Sequence, residues 1–106
     1  MHWDVPVELN AQERKVAKRL HRIGKFYVFL REIRHELFDA PFEAKLAKAY
    51  KKRRGTAPIP PALLAMVTLL QAYDQVGDAD AVATASMDKR WQLVLGTLGE
   101  DEAPFS

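Results

Sequence analysis

Cysteine is absent from this 106-residue chain. Its absence excludes disulfides, thiol nucleophiles and every zinc site built on thiolate, so stability has to come from packing. A chain of this length fits one domain and can bury roughly two-thirds of its unfolded surface. Long apolar runs are missing too. The longest, Ala62 to Tyr73, is interrupted by Thr68 and Gln71 and falls short of the roughly 20 residues a membrane-spanning helix needs. Met1 to Asn10 contain Asp4, Pro6 and Glu8, with no basic start leading into an apolar stretch, so no signal peptide is expected. Together these absences predict a soluble, cytoplasmic protein. The five glycines lie too far apart for a phosphate-cradling loop. The apolar–polar alternation that marks strands is almost lacking.

Helical spacing is what the chain has in abundance, and it predicts an all-α fold: one bundle of five or six short helices. Asn10, with Glu13 three residues on, reads as a capping box. Val16, Leu20 and Ile23 then follow as an apolar line, and Gly24 is placed to end this first helix. A second helix is expected from about Lys25, with Phe26, Phe29, Leu30, Ile33, Leu37 and Phe38 as its stripe. Asp39 can cap a third, with Pro41 in its first turn and Phe42, Leu46, Ala49 and Tyr50 on one face. Lys51 to Arg54 close this helix or spill from it, and Gly55 ends it. A stiff, proline-rich loop leads to Pro60 and Pro61, which suit a helix entry. The fourth helix, from Ala62 to about Val76, is apolar nearly all round and is expected at the centre. Gly77 breaks it. Asp78 or Asp80 can cap a fifth helix, and Asp88 a short sixth one carrying Trp91, Val94 and Leu95.

The net charge of +2 is a sum over unlike halves. Residues 1–56 carry 14 Lys and Arg against 7 Asp and Glu; residues 57–106 carry 2 against 7. On the first helix Arg14, Lys18 and Arg22 follow i, i+4, i+8, with Lys15 and Arg19 beside them and the apolar line left intact. Lys25, Arg31 and Arg34 extend the charge, and Lys51, Lys52, Arg53 and Arg54 form a second cluster. Phosphate contact is the functional reading of these clusters, and a solvated face the plain one. A membrane surface is a third reading of the first helix, disfavoured because aromatic anchors are lacking there.

No constellation reads as a catalytic site. His2, His21 and His35 are scattered, two of them among arginines, and no metal-ligand spacing occurs. Asp74, Asp78 and Asp80 lack a partner base and read as helix caps. Helices four and five loosely resemble a helix-turn-helix, but the fifth opens on Asp78 and Asp80, which would meet phosphates badly. Trp91 reads as a core anchor. Trp3 packs on the bundle or meets another chain.

The string Arg54-Gly55-Thr56-Ala57-Pro58-Ile59-Pro60-Pro61-Ala62-Leu63-Leu64, continuing to Leu69-Leu70-Gln71-Ala72-Tyr73, resembles the N-terminal domain of bacterial insertion-sequence transposases. So do Gly77-Asp78-Ala79-Asp80, Asp88-Lys89-Arg90-Trp91 and Leu95-Gly96, in that order. The resemblance covers about Phe26 to Ser106. Two positions depart from the pattern: Thr56-Ala57, where Arg and Pro are frequent, and Gly77, where Ser is. The resemblance implies a parent enzyme that cuts and joins DNA with an acidic triad and divalent metal in an RNase H-like domain downstream. The chain itself is then expected to be a non-catalytic, cofactor-free fragment of DNA transposition machinery. Its expected partner is DNA at terminal inverted repeats, with phosphates held by Arg14, Lys15, Lys18, Arg19, Arg22 and Lys51 to Arg54. The alternative is a dimerisation or domain-docking module without direct DNA contact, motivated by Trp3, Leu98, Phe105 and the acidic half.

Overall fold

The computed structural model describes residues 2–50 and 59–106. Six helices follow one another: α1 (Ala11–Leu20), α2 (Lys25–Leu37), α3 (Ala40–Tyr50), α4 (Pro61–Asp74), α5 (Asp78–Met87) and α6 (Lys89–Leu95). No strand occurs among the described residues, and the fold is all-α. The run Lys51 to Arg54, Gly55 and the first part of the proline loop lie outside the described residues.

Local chemistry places most of the helix starts. The Asn10 side chain accepts the Glu13 N–H at 2.8 Å, and the Glu13 carboxylate accepts the Asn10 N–H at 2.9 Å. That reciprocal pair satisfies two of the donors a helix start leaves open. Asp39 accepts the Phe42 N–H at the entry to α3, and Asp88 accepts the Arg90 N–H at the entry to α6. Pro60 and Pro61 lead into α4, where the missing proline N–H costs little. α5 differs from expectation. Gly77 is its N-cap without a side-chain bond, and Asp78 and Asp80 sit inside its first turn, where carboxylates complement the helix dipole.

Two helix ends also differ. α4 stops at Asp74 because Gln75 turns left-handed at φ 57°, and the Val76 N–H reaches back to the Gln71 carbonyl at 3.0 Å. Gly77 is therefore not the breaker. α1 stops at Leu20, so Gly24 acts one turn later, as N-cap of α2. A Cβ on Gly24 would fall 2.8 Å from Leu20 Cδ2, so the chain passes there only without a side chain. Ile23, expected to continue the apolar line of α1, lies in the intervening turn and is 88% exposed.

The buried residues of α2 are Tyr27, Leu30, Arg31 and Arg34. Of the expected stripe Leu30 and Phe38 are buried, Phe26 and Leu37 pack against the core, and Phe29 faces solvent, so the buried face is turned toward the two arginines. The arginines decide this rotation. Each finds several carbonyl or carboxylate acceptors inside, which an apolar residue at the same place could not use.

The centre of the bundle is α6 rather than α4. α6 touches α1, α2, α4 and α5, and all five residues from Trp91 to Leu95 are buried. A helix of seven residues is unstable alone, so packing on four neighbours holds it. α4 touches α3, α5 and α6, and Leu69 and Tyr73 remain partly open to water. The core joins Trp3, Tyr27, Leu30, Leu63, Met66, Leu70, Trp91 and Val94, with Ala103 and Phe105 of the last segment packed against it.

Candidate nucleic-acid interface

The five basic residues nominated on the first helix meet solvent together. Arg14, Lys15, Lys18 and Arg19 are exposed on α1, and Arg22 is exposed in the turn after it; Glu13 and Val16 form the buried side. Arg14 and Lys18 stand about 6 Å apart along the helix axis, at about 1.5 Å per residue, and Arg22 follows in the turn. Among the described residues none of the five forms an ion pair. The Arg14 guanidinium donates to the Leu9 carbonyl at 2.7 Å, leaving its other donors free. The His21 ring donates from Nδ1 to the Lys18 carbonyl at 2.8 Å, closing the end of the helix. Lys18 and Arg19 lie in the last turn, where the helix dipole favours positive charge.

Lys15 and Arg19 turn toward a groove of about 440 Å³ between α1, α6 and the last segment. Lys89 joins them there, and Glu100 and Asp101 also line the groove. The two carboxylates disfavour a phosphate inside the groove, so the Arg14–Lys18–Arg22 edge is the better anion surface. Lys89 was not among the residues singled out from sequence. It lies far along the chain from α1, and only the α1–α6 packing brings it near.

Arg31 and Arg34 do not continue this surface. Arg31 is fully buried and Arg34 is 2% exposed. Arg31 Nε donates to Glu13 at 3.1 Å, and its two terminal nitrogens donate to the carbonyls of Val7 at 3.0 Å and Glu8 at 2.9 Å. Arg34 donates to the carbonyls of Val94 at 2.8 Å and Pro6 at 2.9 Å and lies 5.8 Å over the Trp3 ring. Both arginines therefore pin the N-terminal segment to the bundle. Burial, with the neighbouring Arg31 charge, pulls the Arg34 pKa down to about 10, so it remains a cation at neutral pH. A buried guanidinium stays charged when carbonyls surround it, and here it neutralises the carbonyl end of α6.

Trp3 packs inside, edge-on to Phe38 at 6.0 Å. Its backbone N–H donates to Glu43 at 3.0 Å, and the same carboxylate takes the His2 ring at 2.6 Å. Phe105 is packed against the core, and Leu98 is half-buried. Trp3 and Phe105 are thus not free surface for a partner. The apolar side chains that do meet water include Ile23, Phe29, Phe42, Leu69, Tyr73 and Met87.

Asp74 is not a helix cap either. One of its oxygens accepts the Tyr27 hydroxyl, and the other accepts the Trp91 indole N–H at 2.7 Å. It ties α2, α4 and α6 together at their meeting point. Burial, then the Asp74 carboxylate, push the Tyr27 phenol well above its ordinary pKa. Beside it Arg90 pairs with Asp88 at 2.6 Å and lies 4.9 Å over the Tyr27 ring. Trp91 is fully buried, as its reading as a core anchor required.

No cluster of three or more His, Asp or Glu that could hold a metal occurs among the described residues. No helix among them is long and apolar enough to cross a membrane. The first turn of α5, where a recognition helix would meet a DNA groove, presents Asp78 and Asp80 to solvent, and phosphate repels them.

An all-α bundle that exposes five cations along its first helix and the turn after it defines a class of small basic-faced helical domains. The family model described as Transposase domain (DUF772) matches residues 10–106, and the chain belongs to that family. No curated protein and no solved structure matches the chain. The family match begins at Asn10, the cap of α1, so the segment held by Arg31 and Arg34 precedes the shared part.

Proposed function

We propose that this transposase domain is an N-terminal accessory domain of an insertion-sequence transposase of the acidic-triad type. It binds DNA at the element's terminal inverted repeats and carries out no chemistry itself. The observation that supports this reading is the face of Arg14, Lys15, Lys18, Arg19 and Arg22, exposed and without carboxylate partners among the described residues. Five crowded cations repel one another across a helix, and a polyanion relieves that repulsion while releasing its own counterions. Lys51, Lys52, Arg53 and Arg54 add a second cluster in the sequence.

Fluorescence anisotropy with a random duplex and with an inverted-repeat duplex, across a salt series, tests the reading. Binding should weaken steeply with salt, and each phosphate contact removed should reduce the logarithmic slope by about 0.9. The triple variant Arg14→Gln, Lys18→Gln, Arg22→Gln should lose two to three such contacts, or roughly 2 to 3 in slope. Alanine at Lys51 to Arg54 should reduce it further. An unchanged slope in both variants sinks the phosphate assignment. Equal affinity for both duplexes sinks the repeat-specific part.

A second reading, dimerisation or docking without DNA contact, rests on Tyr73. It is 55% exposed while stacked on Phe26 at a centroid distance of 3.9 Å, with Leu69 one helical turn away also open to solvent. Concentration-dependent sedimentation that Tyr73→Ser and Leu69→Ser abolish would favour it.

A further inference from the structure

Ile23 is the most exposed large apolar side chain among the described residues. Single exposed apolar residues are ordinary, but two features set this one apart. Arg22 and Lys25, both exposed, stand on either side of it in the sequence, and Arg14 and Lys18 lead up to Arg22 on α1.

The turn that carries Ile23 is also firmly built. The Gly24 N–H donates to the Leu20 carbonyl at 2.7 Å, and His21 is bonded to the Lys18 carbonyl. The Gly24 backbone lies so close to Leu20 that no side chain would fit. The Glu13–Arg31 ion pair fixes α1 against α2 on either side of the turn. No other apolar side chain belongs to the turn, whose remaining residues are His21 and Arg22, so it offers little to a protein groove or a lipid surface. An apolar tip between cations on a rigid support suits duplex DNA. The cations hold phosphates, and the side chain enters between stacked bases and opens the duplex into a kink.

We propose that Ile23 is a wedge that inserts into a base step of duplex DNA and kinks it, at flexible pyrimidine–purine steps in preference to stiff A-tracts. This inference rests on the reading of α1 as a DNA-binding face. It assigns the turn after α1 the task of selecting deformable sequence, which phosphate contacts alone cannot do.

The test uses the whole chain and two short duplexes of equal length. One has a central TA step with 2-aminopurine as the adenine and dyes at its ends; the other is an A-tract. The wild-type chain should raise 2-aminopurine fluorescence, shorten the end-to-end distance and bind the TA duplex more tightly than the A-tract. Ile23→Ala should keep the salt slope, lose the fluorescence rise and the bend, and bind the TA duplex roughly tenfold more weakly. Its unfolding midpoint should match the wild type, because the side chain makes no core contact. Full salt-dependent binding with no fluorescence change, or a change that Ile23→Ala retains, overturns the wedge and leaves the DNA reading standing. Absence of binding to either duplex removes both. Self-association that Ile23→Ala abolishes also overturns the wedge, by assigning the side chain to a second copy of the chain.

Discussion

Glu13 and Arg31, eighteen residues apart, meet through both carboxylate oxygens, at 3.1 and 3.2 Å, in a buried ion pair between α1 and α2. The same carboxylate completes the capping box of α1, and the same guanidinium holds the carbonyls of Val7 and Glu8. One pair thus joins helix start, helix packing and the N-terminal segment. Breaking a buried pair from one side leaves an uncompensated charge, which costs about 3–5 kcal/mol. Arg31→Met should lower unfolding stability by that order in a urea titration. A loss below about 1 kcal/mol would mean that the pair contributes no more than a surface bridge.

Acid should find the same pair. Burial opposes the charge on Glu13, but the hydrogen bonds and charge of Arg31 and the Asn10 N–H outweigh it, so its pKa lies below the ordinary carboxylate value. At Asp88 burial likewise opposes ionisation, and the Arg90 bonds reverse the sign. A carboxylate whose folded pKa is depressed stabilises the fold fully above its unfolded pKa, and that contribution fades as pH falls through the folded one. Urea midpoints should therefore hold steady from neutral pH down to about 5 and drop below about 4. The double variant Glu13→Gln, Asp88→Asn should start less stable and show a shallower acid decline. An equally steep decline in that variant would place the acid sensitivity in other groups.

Asp74 gives a second test of buried polar architecture. Leu in its place keeps the bulk but removes both acceptor oxygens, so the Tyr27 hydroxyl and the Trp91 indole N–H both lose their partner. An unsatisfied buried donor costs roughly 1–3 kcal/mol. Asp74→Leu should destabilise by at least that amount and alter the near-ultraviolet circular dichroism of Trp91. An unaltered aromatic spectrum would mean that the two bonds do not orient the rings.

Two glycines should respond in opposite directions. Gly24→Ala drives a methyl into Leu20 and should cost about 1–3 kcal/mol by overpacking. Gly77 caps α5 without a side-chain bond, and nothing lies within 4 Å of a Cβ placed there. Gly77→Ser supplies the missing acceptor and should stabilise by roughly 0.5 kcal/mol. Differential scanning calorimetry reads both, as a lower and a slightly higher Tm. A higher Tm for Gly24→Ala would refute the steric account.

Local chemistry made much of the fold legible in advance. Asn10 with Glu13, Asp39, Asp88 and the Pro60–Pro61 entry act on donors within a few residues of themselves, so the helix starts they mark follow from spacing alone. The exposed cations of α1 were legible for the same reason, since their repeat follows one helix face. The fates of Ile23, Arg31, Arg34 and Asp74 were not.

Sequence by itself determined that this protein is an all-α, cysteine-free bundle with surplus positive charge in its first half. Tertiary structure alone decided which of those charges reach solvent. Arg31 and Arg34 occupy helical positions as suited to the surface as those of Arg14 and Lys18. They are buried because carbonyls of Pro6, Val7, Glu8 and Val94 and the Glu13 carboxylate converge on them. Such convergence is assembled from residues up to 60 positions away. Helical periodicity extends over a few turns of one helix, so it carries no record of that distant partnership.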